Sequence, residues 1–155
     1  MTKPSSEKMK RRALASERHK ARHFAMQGLY QWQLNATPAN QIAAQFNVDF
    51  NMKGTDQDYF LELLKGVQYS AQEIDTILLP FAEDRRLDEC DPVTHALLRM
   101  ATYELKNRID VPYKVAINEA VNLAKKFGPE DSHKFVNGVL DQVARVLRKV
   151  EVAAK

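Results

Sequence analysis

The chain has 155 residues, 45% of them hydrophobic, with five Gly, six Pro, a single Cys and a formal net charge of +3. That length suits one domain and buries enough surface to fold without a metal or a disulfide, and Cys90 has no second cysteine to pair with. No apolar run approaches the ~20 residues of a membrane span and the charged N-terminus is unlike a signal peptide, so the expected setting is a reducing cytoplasm.

The elements are all helical in pattern. Residues 1–15 are polar and basic and are expected to form a disordered arm. A first helix is expected from Ser16 to Leu34, ended by Asn35 and Pro38, with a short helix over Ala39–Phe46 after it. NVDFNMKGTD reads as a loop, and Thr55 or Asp56 can cap a helix whose apolar stripe is Tyr59, Phe60, Leu63, Leu64 and Val67. Ser70-Ala71-Gln72-Glu73 fits a capping box opening a separate helix through Ile74, Ile77 and Leu78, which stops near Pro80. DRRLDECD reads as the link between two lobes. Asp91-Pro92 then starts a helix whose buried face is Val93, Ala96, Leu97, Met100, Ala101 and Leu105. Pro112 suits the first turn of the next helix, Gly128 the left-handed position that ends it, and Asp131 or Ser132 the cap of the last one. With no sustained period-two alternation, the expected fold is all-α: six to seven helices in two packed subdomains, 16–83 and 84–150, within one domain of residues 16–150.

Charge is uneven along this plan. Residues 1–27 hold eight Lys or Arg against Glu7 and Glu17, a net +6, which leaves −3 for the rest of a chain totalling +3. A basic arm on a mildly acidic body suits a polyanion at one end, or else is a solubilising tail. On the first helix, Ala21, Phe24, Ala25, Gly28, Leu29 and Trp32 fall within about 140° of arc and form the core face. His19, Arg22, His23, Met26 and Tyr30 line a second stripe, and Arg18, Lys20 and Arg22 are expected to lie off the core face. Cations beside an aromatic are what single-stranded RNA recognition uses, although Tyr30 packed against a neighbouring helix fits the pattern too.

The FGPEDSHKF turn is the second candidate surface. The N–H groups at a helix start attract phosphates, and Lys134 adds a point charge. Phe135 is either a stacking platform or a core residue, since Phe135, Val139 and Val143 recur at i, i+4 and i+8. Asp131 either caps the helix or opposes RNA and limits its affinity. His133 with Glu130 and Asp131 lacks further convergent ligands, so no metal and no cofactor are expected. The glycines are scattered singly, with no phosphate loop, and Asp131-Ser132-His133 on one helix start cannot form a triad, so the chain is not expected to be an enzyme.

Three runs carry a resemblance. DVPYKVAINEAVNLAKKFGPEDSHKFVNGVL (Asp110–Leu140), RHKARHFAMQGLYQWQL (Arg18–Leu34) and LRMATYEL (Leu98–Leu105) stand in order and correctly spaced, and together the chain resembles the NusB family from about Arg18 to Ala144. The resemblance implies an all-helical transcription antitermination factor that binds the boxA element of ribosomal RNA operon transcripts with ribosomal protein NusE and meets RNA polymerase with other Nus factors. It implies RNA contacts at Arg18, His19, Lys20, Arg22, Tyr30, Lys134 and Phe135, with Asp131 as an affinity modulator. His19 departs from the family's usual arginine and carries no full charge when neutral. NusE contact is assigned to the helix Asp91–Asn107 and its surroundings, through Arg99, Glu104 and Tyr113. NusB-like domains also occur fused to RNA cytosine methyltransferases, for which 155 residues are expected to leave no room. The alternative reading is a helical protein-interaction adapter that ignores RNA.

Overall fold

The computed structural model describes residues 3–82 and 87–154. Among the described residues seven α-helices follow one another: α1 Lys3–Asn35, α2 Ala39–Asp49, α3 Gln57–Leu78, α4 Pro92–Asn107, α5 Tyr113–Phe127, α6 Ser132–Leu147 and α7 Lys149–Ala153. Short 3-10 turns lie at Leu79–Phe81 and Leu87–Glu89, and no strand occurs among the described residues. No described helix is long and apolar enough to cross a membrane.

Several boundaries differ from the sequence reading. The arm expected to be disordered is helical from Lys3, so α1 is 33 residues long. Beyond Pro4, which the first turn tolerates, this stretch contains only helix-compatible residues, with Ala, Lys, Arg, Glu and Met prominent. Ser70 starts no new helix: α3 runs unbroken from its Asp56 cap, whose carboxylate accepts the Tyr59 N–H. Without a Gly or Pro between Val67 and Ile74, the backbone's own ladder satisfies the donors that a capping box would have served. The proposed DRRLDECD link lies outside the described residues at 84–86. Pro112 sits one residue before α5, as its cap rather than inside its first turn.

Asp91-Pro92 opens α4 as expected, with the Asp91 carboxylate accepting from Val93 N–H and Thr94 N–H. The rest of α4 is buried more completely than one stripe predicts. Ala96, Leu97, Leu98, Met100, Ala101 and Leu105 are all at most 1% exposed. Thr94, Thr102 and Glu104 are buried as well, and a helix buried over most of its circumference must be surrounded: α4 packs against α1, α3, α5 and α6. Its side chains therefore join the α1–α3 and α5–α6 groups into one continuous core. At the α1–α2–α3 end the core is aromatic: Phe24 meets Phe46 and Phe60 edge-on, each at 6.4 Å between ring centroids.

Candidate RNA interface

α1 is sandwiched. α2 and α3 cover one side, and α4 and α5 cover another. The second stripe is consequently not all surface. Ala21, Ala25 and Leu29 are buried as expected, but Arg22 is only 3% exposed and Met26 is buried as well. The expectation that Arg22 faces RNA is corrected. Its guanidinium donates to both Glu104 carboxylate oxygens at 2.8–3.0 Å and to Glu119 at 3.3 Å. Burial opposes its charge, but Glu104's hydrogen bond and charge overcome that and hold the guanidinium firmly protonated. Glu104 is corrected with it: it is fully buried, also accepts the Tyr59 hydroxyl, and so has no surface to offer NusE.

Arg18 is drawn into the same cluster. Its guanidinium lies 4.6 Å from the Tyr59 ring centroid and near Asp56 and Asp110, at 3.7 and 3.6 Å. Arg108 reaches Glu62 and the same Asp110, and also approaches the Tyr59 ring, at 4.9 Å. These arginines thus act first as intramolecular cross-links around one buried phenol. Burial, followed by Glu104, drives that phenol's pKa up, so Tyr59 stays a hydroxyl donor.

The surface part of the stripe begins beside this cluster. His19 is exposed and its Nδ1 lies 2.9 Å from a Glu119 oxygen. Lys20 is exposed, with its ammonium near Gly54 in the α2–α3 loop. Tyr30 is 39% exposed, as its angular position predicts. It borders a groove of about 270 Å³ with Met26, Gln27, Val93 and Phe127. Phe127, not singled out from sequence, is 42% exposed at the end of α5. Helical spacing from Ala120 and Ala124 puts Phe127 on the buried face. It escapes burial because α5 stops there.

Phe127 also connects the two surfaces. Its ring stacks on His23 of α1, and the turn into α6 follows it directly. That turn is built differently from the expectation. Gly128 is extended, not left-handed, with φ −88° and ψ 170°. Glycine is needed there for space: a Cβ would collide with the Ser132 side chain and come within 2.9 Å of the Ala124 carbonyl oxygen. The left-handed residue is Asp131, at φ 66°, and neither its side chain nor Ser132 caps α6. Ser132 is buried instead. Lys134 and Asp131 are exposed and 3.5 Å apart, while Phe135 is half-buried and packs against the core, in line with its i, i+4, i+8 row.

Asp131→Asn tests the turn. Asparagine tolerates the left-handed region about as well as aspartate, and the lost ion pair is exposed and worth little. The melting temperature should hardly change, and RNA affinity should equal or exceed that of the parent. Weaker RNA binding at unchanged stability would show that the carboxylate makes a favourable contact.

On another face, Arg99 donates to both Asp75 oxygens at 2.7 and 3.0 Å and to Gln33, with its guanidinium 5.2 Å from the Trp32 ring. Burial works against Asp75 ionisation, but hydrogen bonds from His95 and Arg99 pull its pKa down from 3.8 to about 2. A depressed carboxylate stabilises the fold above its unfolded pKa and stops doing so as pH falls through the folded one. The parent should therefore lose stability between about pH 4 and 2 through this group, and Asp75→Asn should flatten that part of the acid limb in pH-dependent denaturant midpoints. An unchanged acid limb would show that the pairing contributes nothing. Tyr113 is half-buried, and its backbone N–H donates to Glu151 at 2.9 Å.

Comparison with known proteins places this architecture. The family description NusB matches residues 19–145. The transcription antitermination protein NusB of Teredinibacter turnerae is 59% identical over 140 residues, covering 90% of this chain and 95% of the relative. That of Saccharophagus degradans is 55% identical, covering 90% and 93%. Among solved structures, T. maritima NusB superposes with a TM-score of 0.76 at 28% identity, over 87% of this chain and 96% of its own. A structure of antitermination factors NusB and NusE in complex with dsRNA gives a TM-score of 0.71 at 25% identity, over 83% and 96%. The family match spans most of the chain, more than half of the positions aligned with the T. turnerae and S. degradans proteins are identical, and the chain belongs to the NusB family.

Proposed function

We propose that the protein is a transcription antitermination factor that binds the boxA element of nascent ribosomal RNA operon transcripts together with ribosomal protein NusE, and supports processive elongation by RNA polymerase alongside other Nus factors. It works by binding, in the cytoplasm, and is not an enzyme. Family membership supports the activity. The observation that carries the site is the pair of exposed aromatics, Tyr30 and Phe127, at one groove, with Lys126 next in sequence to Phe127 and Lys134 past the following turn. Exposed rings accept unpaired bases, and mobile ammonium groups accept phosphates. Lys20, His19, Lys126 and Lys134 are the outer contacts in this reading, Phe135 is a flanking one, and Arg18 contributes its remaining exposed edge. For NusE, Tyr113 and Arg99 remain the proposed contacts.

The test is a titration of boxA RNA, single-stranded and as a duplex, with and without NusE, at two salt concentrations. Single-stranded RNA should bind more tightly, NusE should raise the affinity, and log affinity should fall linearly with log salt as counterions are released. Replacing Lys20, Lys126 and Lys134 by Gln should lower the single-strand slope by about 2, at ~0.7 for each phosphate no longer neutralised. A slope unchanged in that variant would move the phosphate-binding groups elsewhere. Binding of NusE with indifference to RNA would leave only a helical adapter.

A further inference from the structure

His23 belongs to the exposed stripe but takes no part in the arginine–carboxylate cluster. Its ring is half-buried between two others. Phe127 stacks on it at 5.0 Å with a 19° interplanar angle, and Phe24 stacks on it at 5.3 Å and 16°. Phe24 in turn meets Phe46 and Phe60, which are 4% and 0% exposed. An unbroken series of rings therefore runs from the core to Phe127 at the groove. His23 Nε2 is also 3.1 Å from Gln27 Nε2, and Gln27 lines the same groove. Burial, then the charge of Lys126 on α5 and of His19 on α1, hold the imidazole below its ordinary pKa. At neutral pH it meets Phe127 as a flat uncharged ring.

Phe127 needs such a support. It is the last residue of α5, followed by the irregular stretch from Gly128 to Asp131, so the helix gives it no later neighbour. A side chain free at a helix end must be ordered when a ligand binds, and that ordering opposes affinity. A ring already held against His23 has met this cost in the folded protein.

We propose that His23 is a positioning residue for RNA: it holds the Phe127 ring at the groove beside Tyr30, so that an unpaired base meets a stacking surface already in place. This rests on the groove being part of the RNA site. The role of the imidazole is its shape, not its charge.

Affinity for single-stranded boxA RNA is measured for His23→Ala, His23→Phe, Phe127→Ala, Tyr30→Ala and the His23→Ala/Phe127→Ala double variant, at several salt concentrations, with a thermal melt confirming that each is folded. Phe127→Ala should weaken binding about 5- to 150-fold, the range for loss of one base–aromatic stack. His23→Ala should weaken it about 2- to 12-fold, the range for ordering one side chain, with the salt slope unchanged. His23→Phe should restore parental affinity, and the double variant should bind no worse than Phe127→Ala alone. If His23→Phe loses as much as His23→Ala with a smaller salt slope, the imidazole acts as a cation and the proposal is overturned. Additive losses in the double variant, or a His23→Ala protein at parental affinity while Phe127→Ala is weak, overturn the positioning role and leave the groove's RNA role standing. Parental affinity in both Phe127→Ala and Tyr30→Ala overturns the groove's RNA role and the proposal with it.

Discussion

Arg22→Met should destabilise the protein by about 3–5 kcal/mol, the range for removing one member of a buried ion pair. The cost comes from what is left behind. Glu104 is fully buried within a helix surrounded by four others, and Arg22 supplies three of its hydrogen bonds. Without Arg22 the carboxylate keeps only the Tyr59 hydroxyl as a donor within the cluster. A second change separates this account from lost packing. Glu104→Gln in the Arg22→Met background removes the stranded charge and keeps an acceptor for Tyr59, so it should recover at least about 1 kcal/mol of interaction energy in a double-mutant cycle. Denaturant midpoints for the parent, both single variants and the double variant measure this. A fully additive cycle would mean that the pair carries no coupling and that Arg22 matters only by its volume. RNA affinity of Arg22→Met is informative only under conditions where the variant is folded, because any loss otherwise reports unfolding.

Tyr30→Ala should have the opposite signature. At 39% exposure the ring holds little of the core together, and the substitution should change stability by less than about 0.5 kcal/mol, as surface substitutions usually do. Its cost should appear in RNA binding instead, at about 1–3 kcal/mol if the ring stacks on a base. The denaturant midpoint and the RNA affinity, measured on the same variant, give both quantities. A midpoint that drops by several kcal/mol while the folded protein binds RNA at parental strength would assign Tyr30 to packing and remove it from the interface.

Arg22 and Tyr30 are eight positions apart on one helix and belong to the same sequence-derived stripe, yet the packing of the other helices divides them. Angular position on α1 is legible because the helical period is fixed by backbone geometry. It places Ala21, Ala25 and Leu29 in the core and leaves Tyr30 at the surface. A helical wheel drawn with one core face has no means of showing a second. α1 is covered on two sides, and the stripe crosses the second of them near Arg22 and Met26 before emerging at Tyr30. Glu104 is out of reach for a related reason. Its acidic side chain reads as surface on any scale, and the distant Arg22, 82 positions away, with the Tyr59 hydroxyl beside it, makes burial tolerable.

The candidate site shows the same division. The chemistry of the FGPEDSHKF turn can be read directly, but the Gly128 and Asp131 conformations exchange their expected roles. A glycine in sequence signals either a left-handed φ or a close approach, and only the position of Ser132 decides between them. Phe127 has the spacing of a core position because it continues the buried face of α5, and its exposure follows from where the helix stops relative to its neighbours.

Local pattern alone carries the all-helical class, the start of α4 at Asp91-Pro92, the principal core face of α1, its basic character and the family to which the three motif runs belong. Each of these depends on residues within a few turns of one another, where backbone geometry leaves little choice. The assignment of charged and aromatic side chains to inside or outside came from the packed molecule, because it depends on which helices flank a residue from far away in the chain. Packing turned Arg22 and Glu104 into a buried cross-link, and it brought His23 and Phe127, more than a hundred residues apart, into one stack at the surface.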